Sequence, residues 1–195
     1  MNRKRMYAVM VVVMVALCLS LAACATAPMS ASKKAEQQEE VRNMANQTLE
    51  QLYAKNPDAR GVVANAAGYA VFSDFGFKVV FMGGAKGEGI AVNKATRQET
   101  FMKMAEFQPG LGLGANKFRV IFIFENQEAF NSFITSGWEA GANAMAAAKS
   151  KDAGGAIRGG VTVSEGVTMY QITEQGLIVG VSITGAKYYK DKDLN

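Results

Sequence analysis

The chain has 195 residues with 21 basic side chains, 17 acidic ones, two cysteines and no histidine. The lack of histidine excludes catalytic mechanisms that use it as a base, and zinc or copper sites built on cysteine and histidine. The length suits one domain with a sizeable hydrophobic core.

The N-terminus has the pattern of a secretory signal peptide. Arg3, Lys4 and Arg5 precede a run of 18 uncharged residues, Met6 to Ala23. The run ends in Leu21-Ala-Ala-Cys24, which resembles the lipobox of bacterial lipoproteins, where the chain is cut before the cysteine and its thiol is acylated. We therefore predict a signal peptide over residues 1–23, a lipidated Cys24 and a flexible tether over residues 24–34.

An uncleaved membrane-spanning helix is the alternative for this segment, because its apolar run approaches the length needed to cross a bilayer. The residues after Cys24 are small and uncharged, and no basic cluster follows before Lys33 and Lys34. This pattern favours the cleaved lipoprotein. The same resemblance, with Ala25 in place of an aspartate, favours a lipid anchor in the bacterial outer membrane and a protein that faces the periplasm.

Cleavage before Cys24 changes the charge and the thiol content of the chain. It removes three of the 21 basic residues and leaves 18 basic against 17 acidic side chains. Nucleic-acid binding needs a strong basic field, so we expect no nucleic-acid partner. Cys18 leaves with the signal peptide and Cys24 is acylated, so no free thiol remains. Since no Asp-rich loop of the EF-hand type occurs either, we expect no metal and no cofactor.

Residues 35–56 carry apolar side chains at the spacing of one helix face. The residues on this stripe are Val41, Met44, Ala45, Thr48, Leu49, Leu52 and Tyr53. Pro57 is expected to end the helix, because the residue before a proline avoids helical angles. Helices that lie on a membrane are usually rich in Lys and Arg, whereas this one balances acids and bases. We therefore favour packing against the domain over lying on a membrane.

The remainder of the chain is rich in glycine and has the short hydrophobic period of strands. All 20 glycines lie from Gly61 onward. We predict a short helix capped by Asn126 over residues 126–136, and a segment at 141–150 that fits a helix or a strand. Short strands joined by glycine or polar turns are predicted at 69–72, 75–82, 87–93, 99–107, 118–124, 161–163, 167–173 and 177–189.

Glycines within strands usually mark bulges, bends or close approach of two backbones, and such bends let a small sheet curl. The sequence therefore predicts an α+β fold in a single domain over residues 35–195. Its main element is a strongly curved, glycine-rich antiparallel sheet over residues 61–190, barrel-like or folded into a sandwich. The N-terminal helix and one short inserted helix complete it.

No stretch of the sequence supports catalysis. Gly83–Gly89 and Gly110–Ala115 match phosphate- and dinucleotide-binding loops by letter, but each leads into a strand where those loops open a helix. Ser30-Ala-Ser-Lys33 matches the S-x-x-K pattern of β-lactamases but lies in the predicted tether. We expect no enzyme, and a buried pair of carboxylates in a cleft would reopen that question.

Five glycine motifs in order resemble the SYLF domain family over about residues 40–190. They are Gly68-Tyr-Ala-Val-Phe72, Gly83-Gly-x-x-Gly-Glu-Gly89, Gly110-x-Gly-x-Gly114, Gly141-Ala-x-Ala144 and Gly176-Leu-x-x-Gly-Val-Ser-x-x-Gly185. The resemblance implies the fold and a general affinity for lipid. Eukaryotic members are linked to actin and, through a basic N-terminal segment, to phosphoinositides. The matching segment here, residues 35–56, is acid-balanced, so those particular ligands are not implied.

Two functions remain open. The first is a non-enzymatic lipid-binding module, in which cations of the sheet meet lipid phosphates. The candidate lipid-binding residues are Lys78, Lys86, Lys103, Lys117 and Arg119. The alternative is an envelope structural or interaction protein that binds another protein or the cell wall, with lipid acting only as the anchor. A large exposed apolar patch would favour the alternative, and an internal apolar cavity would favour acyl-chain binding.

Overall fold

The computed structural model describes residues 29–139, 156–157, 160–173, 176–178 and 185–195. The chain divides into two compact units, Met1–Lys34 and Ala35–Asn195. The predictions for the signal peptide, for Cys24 and for residues 141–150 fall outside the described residues.

The described part of the chain has three helices, α1 (Ala31–Lys55), α2 (Ala59–Asn65) and α3 (Gln127–Ser136). Helix α1 begins at Ala31 and not at the predicted residue 35. The reason is local, because Ser30 Oγ accepts a hydrogen bond of 3.4 Å from the Lys33 N–H and caps the first turn. The S-x-x-K pattern is therefore a helix cap. Helix α2 is an addition to the predicted elements.

The apolar stripe predicted for α1 is the face that the domain buries. Its buried residues are Val41, Ala45, Thr48, Leu49 and Leu52. Helix α1 therefore packs against the domain, as the acid-balanced polar face indicates. The prediction for α3 is also confirmed: Asn126 Oδ1 accepts a hydrogen bond of 2.8 Å from the Ala129 N–H, and the helix ends at Gly137, whose φ of 74° suits glycine.

The strands form one strongly curled antiparallel sheet, which confirms the predicted α+β class. The strands that the structure describes are β1 (Gly68–Asn93), β2 (Glu99–Phe124), β3 (Trp138–Glu139), β4 (Ala156–Ile157), β5 (Gly160–Ser164), β6 (Val167–Thr173), β7 (Gly176–Ile178) and β8 (Ala186–Lys190). The predicted loop after Asn93 joins β1 to β2, and the Asn93 side chain accepts hydrogen bonds from the Ala95 and Thr96 N–H groups at 3.0 and 3.1 Å. The predicted strand at 177–189 corresponds to β7 and β8.

The prediction of several short strands before Phe124 is wrong, because β1 and β2 are continuous strands of 26 residues each. Gly83–Gly89 and Gly110–Ala115, expected to be turns and bulges, lie inside these strands. The hydrogen bonds between paired strands join backbone groups and so do not require a side chain. Glycines of one strand also pair with residues that have side chains on the other strand, as Gly87 does with Met104 and Gly89 with Met102. The register shift lies elsewhere, between Val80 and Met82.

Strand β2 is the centre of the sheet. One edge of β2 pairs with β1 along nearly its whole length. Its other edge pairs with β8 over Met102–Glu106 and with β6 over Phe118–Phe124. The two halves of the β1–β2 hairpin thus belong to two regions of the same curled sheet.

The two halves of β1 face each other at very short range. A Cβ atom added to Gly87 would lie 2.9 Å from the Ser73 carbonyl oxygen, and one added to Gly68 would lie 2.9 Å from the Val92 carbonyl oxygen. A Cβ atom on Gly89 would collide with the carbonyl oxygen of Val71. The strand therefore folds over on itself, and glycine is the residue that permits this approach.

The main hydrophobic core fills the space inside the curl. Even-numbered residues of β2, from Met102 to Phe124, contribute to it. The Phe72, Phe122 and Tyr188 rings meet edge to face, with centroids 4.7 to 6.1 Å apart. Odd-numbered residues of β2 lie on the other face, where Arg119 Nη1 donates a hydrogen bond of 3.0 Å to Thr48 Oγ1 of α1. Helix α1 covers that face.

The close approach at Gly89 predicts a large loss of stability on substitution. Gly89→Ala places a methyl group against the Val71 carbonyl oxygen and the Phe72 ring, so the two halves of β1 must separate. We expect the free energy of unfolding, measured by urea denaturation, to fall by about 2 kcal/mol or more. The control is Gly61→Ala inside α2, where the same change should be neutral or stabilising by up to about 1 kcal/mol. Equal stabilities for the two variants would contradict this account of the fold.

Candidate functional site

A cavity of about 1060 Å³ lies where α1 meets the sheet. Its lining comes from α1, from both halves of β1 and β2, and from β6 and β8. The volume is at the upper end of the range for ligand-binding pockets. The interior of the curl is occupied by the aromatic core, so the space for a ligand is found against the helix.

One part of the cavity lining is apolar. Val41 and Met44 come from α1, Met104 and Phe118 from β2, and Ile172 from β6. Phe118, Met104 and Ile172 are buried in the fold and present only part of their surface to the cavity. Such a wall gives an apolar ligand a surface that is already removed from bulk water.

Several cationic side chains also line the cavity. Four of the five predicted lipid-binding residues line it: Lys86, Lys103, Lys117 and Arg119. The fifth, Lys78, lies in β1 opposite Gly114, and its side chain is outside the description. Lys55 of α1 lines the cavity as well and was missed by the sequence analysis. The carboxylates of Glu40 and Glu88 are also in the lining.

The four cations are not equally available to a ligand. Lys103 Nζ lies 2.9 Å from Asp191 Oδ1 and 3.2 Å from Asp193 Oδ2, so its charge is compensated by the C-terminal segment. Arg119 uses one nitrogen on Thr48 and has further N–H donors. Lys86 and Lys117 are exposed, and neither forms an ion pair with any residue that the structure describes. An anionic group would therefore meet Lys86, Lys117 and Arg119 first.

Asp74 is the buried acidic group of the cavity. Its side chain is 2% exposed, and neither carboxylate oxygen has a hydrogen-bond partner within the described residues. The carboxylate lies against Gly87, in the space that a side chain at position 87 would take. Burial, and after it the nearby negative charge of Glu106, raise the pKa of Asp74 to about 8. Asp74 therefore holds its proton at neutral pH.

Two more ionisable groups lie close to Asp74 and complete what we call the acid cluster: Asp74, Glu106 and Tyr188. Glu106 is 7% exposed and Tyr188 is fully buried. Burial raises the pKa of the Tyr188 hydroxyl well above its usual value, and the charges of Asp74 and Glu106 raise it further. Asp74 is the one member of the acid cluster that lines the cavity.

The sequence analysis missed Asp74, although a signal for it exists. Ala70, Phe72 and Asp74 alternate along β1, so the period of two places the carboxylate on the same face as two core residues. An acid at such an inward position of a strand needs an explanation. Lys55 has no comparable signal, because a lysine in the last turn of a helix is ordinary.

The described residues lack two other kinds of feature. In the described part of the chain, no group of three or more His, Cys, Asp or Glu residues is placed to hold a metal ion. Among the same residues, no helix combines the length and the apolar character that a membrane crossing requires.

Comparison with known proteins relates the chain to one family. The family model described as Ysc84, Las17-binding protein actin regulator, matches residues 105–195. A curated relative, beta cell expansion factor A of Aeromonas veronii, is 33% identical over 156 residues, which cover 79% of this chain and 57% of the relative. The chain thus spans less than two thirds of that relative's length.

The buried carboxyl group of Asp74 predicts a stability that falls as pH rises. Because the pKa of Asp74 is raised in the folded state, the unfolded chain releases its proton first, and folding is penalised increasingly between about pH 4 and pH 8. Asp74→Asn should remove this dependence of the free energy of unfolding on pH. Relative to the natural chain, the variant should gain no stability near pH 4 and about 1–3 kcal/mol near pH 8, a figure that already includes the cost of burying an amide. Urea denaturation at both pH values measures it. The exposed Glu88→Gln is the control, and a parallel shift at both pH values would contradict the assignment.

Proposed function

The chain belongs to the SYLF domain family, which the Ysc84 model describes, and on that premise we propose that it is a non-enzymatic lipid-binding module. We propose further that it is the folded part of an envelope lipoprotein, held at the outer membrane by an acylated Cys24.

The observation that carries the proposal is the composition of the cavity. An apolar wall and a group of uncompensated cations lie in one space of about 1060 Å³. A phospholipid has the matching parts, since its acyl chains seek apolar surface and its phosphate seeks Lys and Arg. A soluble anion would bind the cations but would leave the apolar wall exposed to water. A phospholipid therefore fits the cavity better than a soluble anion does.

The cations that would bind the headgroup come from separate parts of the hairpin. Lys86 lies in the second half of β1, and Lys117 and Arg119 lie in the second half of β2. Arg119 can offer a planar fork of donors to a phosphate, whereas the lysines act as point charges. The ion pairs of Lys103 with Asp191 and Asp193 favour a structural role for that residue.

The acid cluster bears on the proposal that the chain is not an enzyme. Asp74 and Glu106 are a buried pair of carboxyl groups beside a cavity, the arrangement that the sequence analysis set as a reason to reconsider catalysis. Hydrolysis by a pair of carboxyl groups, as in glycosidases and aspartic proteases, requires both groups to reach the reacting bond. Asp74 lines the cavity and Glu106 does not, so this geometry favours binding over acid–base chemistry.

The alternative of an envelope interaction protein finds less support in the structure. Among the described residues, Tyr189 is the one large hydrophobic side chain classed as exposed, at 39%. A single aromatic side chain is far from the contiguous apolar patch that a protein interface usually needs. Tyr189 also lines the cavity, where it can contribute to lipid binding.

A lipidated Cys24 also limits what the lipid affinity is for. Two or more acyl chains hold a protein stably at a membrane, so the domain has no need to bind lipid in order to stay there. We infer that the cavity receives a lipid taken out of the bilayer, and that it serves transfer or sensing of that lipid.

Charge reversal at the two free lysines tests the headgroup site. We expect Lys86→Glu with Lys117→Glu to weaken binding of a soluble form starting at Ser30 to anionic vesicles by roughly tenfold or more, at about 1 kcal/mol for each lysine. Lys190→Glu with Lys192→Glu is the matched control, because it changes the net charge equally at residues outside the cavity lining. Co-sedimentation measures both. The proposal fails if the unmodified protein ignores anionic and neutral vesicles alike.

Replacement of the lipobox cysteine tests the anchor. Cys24→Ser should abolish incorporation of radiolabelled palmitate and should move the protein from the membrane fraction to the soluble periplasmic fraction. Cys18→Ser, within the predicted signal peptide, is the control and should leave both unchanged. Retention of Cys24→Ser in the membrane fraction would favour an uncleaved helix over a lipid anchor.

A further inference from the structure

The strand register arranges the polar and apolar residues of the cavity in rows. Residues that pair across an antiparallel sheet share one face of it, and the odd-numbered residues of β2 are on the face that α1 covers. Each row on this face runs from β6 or β8, through β2, to β1. The residues are Ile172, Arg119 and Ser73 in one row, and Tyr189, Lys103 and Glu88 in the other. All six line the cavity, so the rows are apolar on the side of β6 and β8 and polar on the side of β1.

The apolar side of the cavity is narrow. Its residues on the sheet and on α1 are Ile172, Tyr189, Val41 and Met44, which we call the apolar strip. Each row contributes one residue to the strip before the cation of β2 is reached, and neighbouring strands lie about 4.8 Å apart. Met104 and Phe118 of the lining belong to the main core on the opposite face of β2 and do not widen the strip. The strip therefore has the width of one extended acyl chain.

A second acyl chain beside the first would lie over charged groups. Lys103 and Arg119 are the next residues of the two rows. Ala105 lies on the same face and adds only a methyl group, and the β8 residue paired with it is Lys187, which forms an ion pair of 2.8 Å with Glu139. An acyl chain in this position would remove water from charged side chains and would offer them no partner in return, which is unfavourable.

The volume of the cavity agrees with a single chain. Since an apolar cavity of about 150 Å³ holds one benzene molecule, a cavity of about 1060 Å³ holds roughly 40 non-hydrogen atoms. A phospholipid with one long acyl chain is smaller than this limit, and a phospholipid with two long chains exceeds it. The second chain would then remain outside the cavity, in contact with water.

We propose, resting on the lipid-binding function above, that the cavity is selective for phospholipids with a single acyl chain. The chain lies along the apolar strip, and the phosphate binds Lys86, Lys117 and Arg119. A phospholipid with one chain also leaves a bilayer more readily than one with two chains, because less apolar surface has to enter water. The selectivity therefore agrees with a site that receives single lipid molecules from the membrane.

The test compares two phosphatidylglycerols with the same total number of acyl carbons, one with a single chain and one with two short chains. Both are titrated into the protein below the concentrations at which they form micelles. We expect calorimetry to show at least tenfold tighter binding of the single-chain lipid. A maltoside detergent with the same single chain lacks the phosphate and should bind at least tenfold more weakly than that lipid.

Variants at Tyr189 connect the preference to the apolar strip. Tyr189 is 39% exposed, so its replacement should leave the fold intact. Tyr189→Ser should weaken binding of the single-chain lipid at least threefold, whereas Tyr189→Phe should keep the affinity because the apolar ring remains. Tyr53→Ser is the matched control, because Tyr53 lies on α1 outside the cavity lining, and it should leave the affinity unchanged.

The outcomes separate this inference from the function on which it rests. If neither phosphatidylglycerol binds, the lipid-binding function itself fails. If both bind and the preference for the single chain is less than tenfold, lipid binding stands and the selectivity is overturned. Equal binding of the maltoside would overturn the placement of the phosphate on the cations. A loss of less than threefold in Tyr189→Ser would overturn the placement of the chain on the apolar strip.

Discussion

The contact between the two halves of β1 is the constraint on which the rest of the molecule depends. Gly87 and Gly89 let the second half of the strand pass directly over Ser73 and Val71. That approach turns a hairpin of two 26-residue strands into two stacked regions with an aromatic core between them. It leaves the opposite face of β2 for α1, and so determines where a cavity can form.

The same contact explains how an acid comes to be buried. Gly87 has no side chain, and the Asp74 carboxylate occupies the space that its Cβ would need. The close approach at Gly87 therefore brings the two halves of β1 together and also leaves space for the Asp74 carboxyl group, whose burial destabilises the fold. Burial in this close packing is also the main cause of the raised pKa of Asp74, so the same contact makes the stability of the fold depend on pH.

The secondary structure was largely predictable, and its long-range arrangement was not. The cap at Asn126, the stripe of α1 and the loop after Asn93 depend on neighbouring residues, and each is visible in the sequence. The continuity of β1 through Gly83–Gly89 depends on the pairing with β2, which no local pattern shows. The lysines and Arg119 were predictable as exposed cations on strands. Their convergence with Asp74 results from the folding of the hairpin, which brings positions 74, 86 and 118 together.

Helix α1 connects the fold to the proposed ligand. It forms one wall of the cavity through Val41 and Met44, and it is held to the sheet by the hydrogen bond from Arg119 to Thr48 and by Arg42, whose Nε lies 2.8 Å from Glu99 Oε2. A ligand that fills the cavity contacts α1 and the sheet together, so it must favour the docked helix over any arrangement in which α1 moves away. Arg119 takes part in both contacts, because it donates a hydrogen bond to Thr48 and also lines the cavity. Occupation of the cavity and docking of α1 are therefore linked equilibria.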